Sequence, residues 1–237
     1  MTALSPRPSP YSDLDRTREA VAAGRHRALI GGLWDEVGLL GRDMLIAEGL
    51  TPAMRFLDIG CGCLRVGVHL VEYLDAGRYF GTDLSDDLLS AGYDQELRAL
   101  GLVHKLPHAN LLCDEGFNFD RFENAPTFDM ALAQSVLSHL PLNHLRLCLE
   151  NLEPSMAVGG KLLVTIFHCR DDAWARPLHH QPGGITSYPD RNPYHHRLAD
   201  LEYCARGLAW DVAEPRDWNH PRDQALVAFR RLPAAGT

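Results

Sequence analysis

From Arg55 onward the chain alternates short apolar strands with amphipathic helices, and this rhythm narrows the possible folds more than any other feature. RFLDIG (55–60) reads as a strand, and Val66, Leu70, Val71 and Leu74 mark the helix after it. YFGTDL (79–84) is a second strand. Ser85 is placed to cap the next helix, with Asp86 and Asp87 in its first turn, where the helix dipole favours acid. Leu89, Tyr93, Leu97 and Leu100 give that helix an apolar stripe. ANLLCD (109–114) and FDMALAQ (128–134) read as the third and fourth strands. A helix carrying Leu145, Cys148, Leu149, Leu152 and Met156 follows, closed by Gly159-Gly160 before the fifth strand, KLLVTIF (161–167). After a helix at about 196–207, WDVAEP and ALVAFRRL add two strands, separated by the turn-like WNHPRDQ (218–224). Strands that are apolar throughout and alternate with helices need cover on both faces. The expectation is an α/β fold: a Rossmann-like, doubly wound, mostly parallel sheet of seven strands with an N-terminal helical extension.

Two stretches lie outside that rhythm. Residues 1–12 contain Pro6, Pro8 and Pro10 without apolar periodicity, and are expected to form a flexible arm. Helical patterns follow at 13–29 and 33–49. In the second, Leu33, Val37, Leu40, Met44 and Ala47 share a face, and Gly49 and Pro52 end it. Residues 168–195 hold Trp174, His179, His180, Pro182, Gly183, Gly184, Tyr188, Pro189, Pro193 and Tyr194 with little periodicity, the mark of a functional loop. The domain reading is thus helices 13–50 forming part of a lid, a core at 51–232 with 168–195 as its substrate loop, and a tail at 233–237.

Composition narrows the partners. The 237 residues include 46% hydrophobic and 23% charged, ordinary for a globular protein. A binder of duplex nucleic acid needs an excess of base to neutralise phosphates, and 23 Lys+Arg against 31 Asp+Glu argue against one. No stretch approaches the ~18 consecutive apolar residues of a membrane helix, and MTALSPRPSPYSDLD has no apolar core for a signal peptide. The expected compartment is the cytoplasm, with cysteines 61, 63, 113, 148, 169 and 204 as free thiols. Cys61-x-Cys63 lacks the spacing of a zinc knuckle, and the pairs His179-His180 and His195-His196 have no carboxylate spacing in support, so no metal is expected.

The segment LDIGCGCLRVG (57–67) spans the first strand, its turn and the following helix start. In open α/β sheets ligands bind beyond the C-terminal strand ends, and glycines there let the backbone approach them. The second strand ends in Asp83, 23 residues after Gly60, placed to accept hydrogen bonds from a ribose diol. A dinucleotide site would need glycine where Arg65 stands. Asp58, two residues before Gly60, suits an ammonium group and would repel a pyrophosphate.

These residues resemble the first motif of the class I S-adenosylmethionine-dependent methyltransferases, and the resemblance continues in order over about residues 30–232. GTDLS (81–85) resembles the second motif, with Asp83 as the ribose-binding acid. CDEGF (113–117) resembles the loop after the third strand, where Asp114 or Glu115 would meet the adenine amino group. FDMALAQSVLSHL (128–140) and GGKLLVTIF (159–167) resemble the fourth-motif region and the fifth strand. One departure is Leu64, where the family often carries a third glycine. The resemblance implies S-adenosyl-L-methionine as cofactor, with S-adenosyl-L-homocysteine as product. It implies a binding set of Asp58, Gly60, Cys61, Gly62, Asp83, Leu84, Asp114, Glu115, Gln134 and Ser135.

A sulfonium methyl is already electrophilic, so such an enzyme mainly aligns its acceptor and excludes water. The resemblance also demotes acceptors. Amino-group DNA methyltransferases carry (Asp/Asn/Ser)-Pro-Pro-aromatic where this chain has Ala133-Gln134-Ser135-Val136, and the glutamates of arginine methyltransferases and acids of magnesium-dependent catechol enzymes are missing. A small-molecule acceptor leads, with a non-catalytic cofactor-binding protein or a methyltransferase of protein or RNA as alternatives. Where the acceptor must lose a proton, His139 is the first candidate base, because a helical turn would put it on one face with Ser135. His168, at the end of the fifth strand, is the second. Trp174, Tyr188 and Tyr194 either line the lid or pin it down by burial.

Overall fold

A computed structural model describes residues 10–124 and 126–234. The sheet comprises β1 (Phe56–Ile59), β2 (Tyr79–Asp83), β3 (Leu111–Cys113), β4 (Phe128–Ala133), β5 (Met156–His168), β9 (Trp210–Val212) and β10 (Ala225–Arg231), in the order β3-β2-β1-β4-β5-β10-β9. The short β6 (Leu178–His180) and β7 (Ile185–Ser187) pair with each other, and β8 (His195–His196) runs parallel beside the end of β5. Pairings from β3 to β5 are parallel; β10 runs antiparallel to β5 and β9. The chain leaves β1 toward β3 and returns to β4 on β1's other side. The strand order therefore reverses between β1 and β4, which opens a crevice at their C-terminal ends.

Successive side chains of a strand point to opposite faces, and the core divides accordingly. Leu57, Leu162 and Val164 join Phe80, Phe128 and Phe229 on one face. Phe56, Leu163 and Leu132 join Leu70, Tyr79 and Leu226 on the other. Burying each such side chain contributes roughly 1.5–3 kcal/mol, and their period of two sets the register.

The helices are α1 (Leu14–Ala22), α2 (His26–Leu29), α3 (Trp34–Ala47), α4 (Gly67–Tyr73), α5 (Asp86–Ala91), α6 (Leu142–Leu152) and α7 (Leu198–Ala205). The Ser85 hydroxyl accepts from Leu88 N at 3.3 Å, the cap expected for α5. A π-helical stretch, Gly92–Leu97, extends α5. Gly38 lets α3 lie close to the turn before α4, because a Cβ there would stand 2.6 Å from the Arg65 carbonyl oxygen.

Glu96 anchors the N-terminal helices. Its buried carboxylate accepts from Arg27 Nε and Nη2 at 2.7 and 2.5 Å and lies 2.6 Å from His26 Nε2. Burial opposes its ionisation, but the bonds from Arg27 and His26 outweigh that and hold the carboxyl below its ordinary range.

Several boundaries differ from the sequence reading. The expected helix 13–29 is two helices, broken where Gly24 takes a φ of +67°. Leu33, expected on a helical face, precedes α3 in the left-handed region at φ 50°, after Gly31 and Gly32, which also have positive φ. Gly159-Gly160 does not close a helix. α6 stops at Leu152, a 3-10 turn containing Pro154 follows, and both glycines lie inside β5. Residues 168–195 hold a hairpin and the first residue of a two-residue strand rather than an irregular loop. The expected flexible arm falls mostly on 1–9, outside the described residues, while Pro10–Ser12 form a 3-10 turn. Among the described residues no helix is long and apolar enough to cross a membrane. All six cysteines are free.

Candidate active site

A pocket of about 860 Å³, including its open mouth, lies in the crevice where the strand order reverses. Its floor is the turn after β1. Gly60 takes a φ of +68° and Gly62 one of +55°. A Cβ on Gly60 would stand 2.4 Å from Val136 Cγ2, so only glycine lets the loop after β4 close on this turn. Leu64, where the family that this turn resembles often carries a third glycine, is also left-handed at φ 67°. That conformation costs on the order of 1–2 kcal/mol for an L-residue, and the complete burial of its side chain offsets it.

Asp83 closes the floor. Its Oδ2 accepts from Gly62 N and its Oδ1 from Ser85 N, both at 2.9 Å. Each oxygen keeps a lone pair for a ligand. Burial raises its pKa, and backbone N–H groups of Ser85, Gly62 and Leu84 oppose the rise. Asp58 is buried beneath and accepts from the Tyr79 hydroxyl at 2.8 Å. Burial, reinforced by the Asp83 charge, pushes its carboxyl up to about 7 against the Tyr79 bond and Arg65. A cation in the pocket would restore its ionisation.

Cys61, Leu84, Gln134 and Ser135 line the same pocket, as does His139. Both polar atoms of the Gln134 amide are buried without a protein partner. Such a group costs free energy unless something else satisfies it. Ser135, at φ 60°, is locked by bonds from its N to Thr165 Oγ1 at 2.7 Å and from its Oγ to Gln224 Oε1 at 2.9 Å. The stretch 135–140 is an irregular turn rather than the expected helical one, yet it presents Ser135 and His139 to one cavity.

Three expected site residues lie elsewhere. The Asp114 side chain is 2% exposed and accepts from Gly116 N, Asn118 N, Asn118 Nδ2 and Arg121 Nη1, so it staples its own loop. Glu115 is exposed and does not line the pocket. His168 also lies off the pocket lining; its charged neighbours are Glu214, Arg170 and Asp171.

Sequence reasoning missed several contributors. Tyr11, assigned to a flexible arm, lines the pocket and meets His139 edge to face at 4.9 Å between ring centroids. Burial pushes its phenol up against the pull of Arg65 and Arg222. Arg65 had served only as a mark against a dinucleotide. It lines the pocket, donating from Nη1 to the carbonyls of Ile30 and Gly32, while its Nε is buried without a partner. Arg222, from the turn-like segment, donates to the Gly31 carbonyl, so two arginines hold the N-terminal bend over the site. An aromatic beside prolines and a basic residue inside a glycine motif were the available signals.

The segment 168–195 reaches the site through one side chain. Asn192 Oδ1 lies 2.7 Å from His139 Nδ1. The segment's aromatics do not line the pocket: Trp174 lies under Arg197, Tyr188 under Arg191, and Tyr194 stacks on His196. A polar chain holds its base, from exposed Asp223 through buried His180, Ser187 and His195 to the Trp174 carbonyl.

Residues 57–162 match the family model described as a methyltransferase domain. The chain carries a methyltransferase domain over that stretch. Among solved structures, this methyltransferase is similar to magnesium protoporphyrin IX methyltransferase (ChlM) from Synechocystis PCC 6803 with bound SAM. The identity is 15%, 98% of this chain and 99% of that one are covered, and the TM-score is 0.62. It is similar to the CcbJ methyltransferase from Streptomyces caelestis at 14% identity, covering 95% and 99%, with a TM-score of 0.65. The DhpI–SAH complex is a third, at 17% identity, 95% and 98% coverage and a TM-score of 0.62. At such identities the likeness speaks for the fold, and the methyltransferase's acceptor has to be argued from its own side chains.

Proposed function

We propose that this methyltransferase uses S-adenosylmethionine to methylate a small-molecule hydroxyl or amine, with His139 as the base that takes the acceptor's proton. One observation carries the reading. A single crevice joins a glycine turn, an acid with both oxygens held by backbone N–H groups, and a buried amide with nothing to bond.

The residues present fit the cofactor. Asp83 would take the ribose diol, and Asp58 the ammonium group. Arg65 would face the carboxylate, and the Gln134 amide would gain a polar partner. Leu84 and Leu88 supply apolar wall. Bound there, the cofactor supplies an electrophilic methyl. The protein's own contribution is alignment, exclusion of water and removal of a proton. Burial holds the His139 pKa below its ordinary value, despite the Asn192 bond, and Arg222 adds to the lowering, so the ring is neutral at pH 7. The roof we assign is Tyr11 and Ile30 of the N-terminal extension, with residues 188–194 behind His139. A roof of this kind admits a small acceptor more readily than a folded RNA, and the net charge of −8 supports that choice. Six free cysteines support a reducing compartment, and we infer the cytoplasm.

Calorimetry with S-adenosylhomocysteine tests the donor half: micromolar-scale binding is expected and none with NAD, whereas tight NAD binding alone would sink the reading. Incubation of the protein with a metabolite extract and methyl-labelled donor tests the acceptor half. Label should appear in low-mass products; label confined to protein or RNA would overturn it.

A further inference from the structure

Every hydrogen-bonding neighbour of a catalytic imidazole decides which nitrogen holds the proton, and His139 has one such neighbour placed by a distant part of the chain. We propose that Asn192 is a positioning residue that fixes His139 in the Nδ1–H tautomer and leaves Nε2 as the acceptor of the substrate's proton. The inference rests on the reading of His139 as the base and adds to it the group that makes the base usable.

The geometry supports it at three points. The Nδ1···Oδ1 distance of 2.7 Å is short, and a carbonyl oxygen attracts that nitrogen only when it carries a hydrogen. The backbone flanking Asn192 is held, while the Asn192 Nδ2 is buried without a protein partner. Tyr188 N donates to the Pro193 carbonyl at 2.8 Å, His195 N to the Tyr188 carbonyl at 3.1 Å, and Tyr194 N to the Ser138 carbonyl at 2.7 Å, next to His139. His139, for its part, is fixed by its backbone N bonding the Val136 carbonyl at 2.9 Å and by the Tyr11 ring against its face.

The consequence is a coupling between two segments. An unrestrained neutral imidazole in water prefers its proton on Nε2, which would present a donor to the acceptor instead of a lone pair. Asn192 reverses that preference only while residues 188–194 are seated on the 135–140 turn. Seating of the segment and competence of the base are therefore one event. The ionisable and charged groups around the ring are Tyr11 from the N-terminal turn and Arg222 from the segment before β10. Asn192, being neutral, orients the ring without adding a charge that would protonate it.

The test needs no acceptor. Full-length protein with ¹⁵N-labelled histidine is examined by long-range ¹H–¹⁵N correlation at pH 7.5, the His139 ring being assigned from His139→Gln. The expected wild-type signal is a neutral ring protonated on Nδ1. Asn192→Ala is expected to move the proton mainly to Nε2 while the circular dichroism spectrum stays unchanged. Asn192→Asp keeps the acceptor and adds charge, so Nδ1–H should persist and the ring's titration midpoint rise by about one to three units. A wild-type proton on Nε2, an unchanged tautomer in Asn192→Ala, or an unmoved midpoint in Asn192→Asp would each overturn the assignment. S-adenosylhomocysteine affinity, measured alongside, should be the same in wild type and Asn192→Ala. Failure of the wild type to bind it would overturn the donor-site reading, and the tautomer would still decide the role of Asn192.

Discussion

The half of the crevice proposed for the donor and the half proposed for the acceptor are built in different ways. In the donor half, Gly60, Gly62 and Asp83 lie within two adjacent strand ends, and the bonds that shape them come from backbone N–H groups. In the acceptor half, Tyr11, His139, Asn192 and Arg222 come from four separated segments and meet through side chains. Backbone at the end of a strand is positioned by the sheet itself. A side-chain cluster is positioned only if every contributing segment docks. The first half is therefore suited to an invariant ligand, and the second can be rebuilt for a new acceptor without disturbing the sheet.

The sharpest way to break this division is at His139. His139→Ala should lower turnover about 10²–10⁴-fold, the usual loss for a general base, with S-adenosylhomocysteine affinity nearly unchanged. In the wild type, turnover should fall as pH drops through a His139 pKa that burial holds below the ordinary histidine value. A pH–rate profile that loses activity only above that value would contradict the base role. If affinity falls along with turnover, the two halves are not separable.

Asp83→Ala should act on the other half. Hydrogen bonds to a charged acceptor are worth roughly 1.5–3 kcal/mol, equivalent to a rise of about ten- to more than one-hundred-fold in the dissociation constant for S-adenosylhomocysteine. The variant also leaves the N–H groups of Gly62 and Ser85 without their acceptor, so its melting temperature should drop modestly. An unchanged dissociation constant would reduce Asp83 to a structural acid at a helix start.

A smaller effect concerns Asp58. With its carboxyl pushed up to about 7, about half of the sites are protonated at pH 7. An ammonium group bound beside it favours the ionised form, so binding should release about half a proton at that pH. Calorimetry in buffers of different ionisation enthalpy measures this directly. Affinity should weaken as pH falls below 7. A binding enthalpy independent of buffer would place the ammonium elsewhere.

The smallest expected effect is none at all. His168→Ala should leave both turnover and cofactor affinity as they are, because its side chain lies off the pocket. A loss comparable with that of His139→Ala would move the acceptor site to the end of β5 and undo the comparison.

Much of the backbone geometry beneath the proposed donor half was legible in the sequence. The apolar runs at 55–60 and 79–84 define strands, their ends place Gly60 and Asp83, and Ser85 caps the next helix as its chemistry suggests. Asp114 was misplaced for an instructive reason. An acid in a loop reads the same whether it faces a ligand or its own backbone, and here Gly116, Asn118 and Arg121 claim it. His168 stands at a strand end, yet it does not line the pocket and its charged neighbours are Glu214, Arg170 and Asp171. Tyr11 was hidden because a proline-rich stretch without periodicity carries no local sign of docking.

What the sequence by itself determined is the alternating α/β order, the glycine turn and the acid that follows it. These are set by hydrophobic period and local backbone chemistry, which act between neighbours. The tertiary structure alone decided that Tyr11, Asn192 and Arg222 converge around His139 and that Arg65 lines the same pocket. The Asn192–His139 bond closes 53 residues of chain, and the Arg222–Gly31 bond over the same crevice closes 191. Only the folded sheet, with its reversal between β1 and β4, brings such distant segments over one crevice.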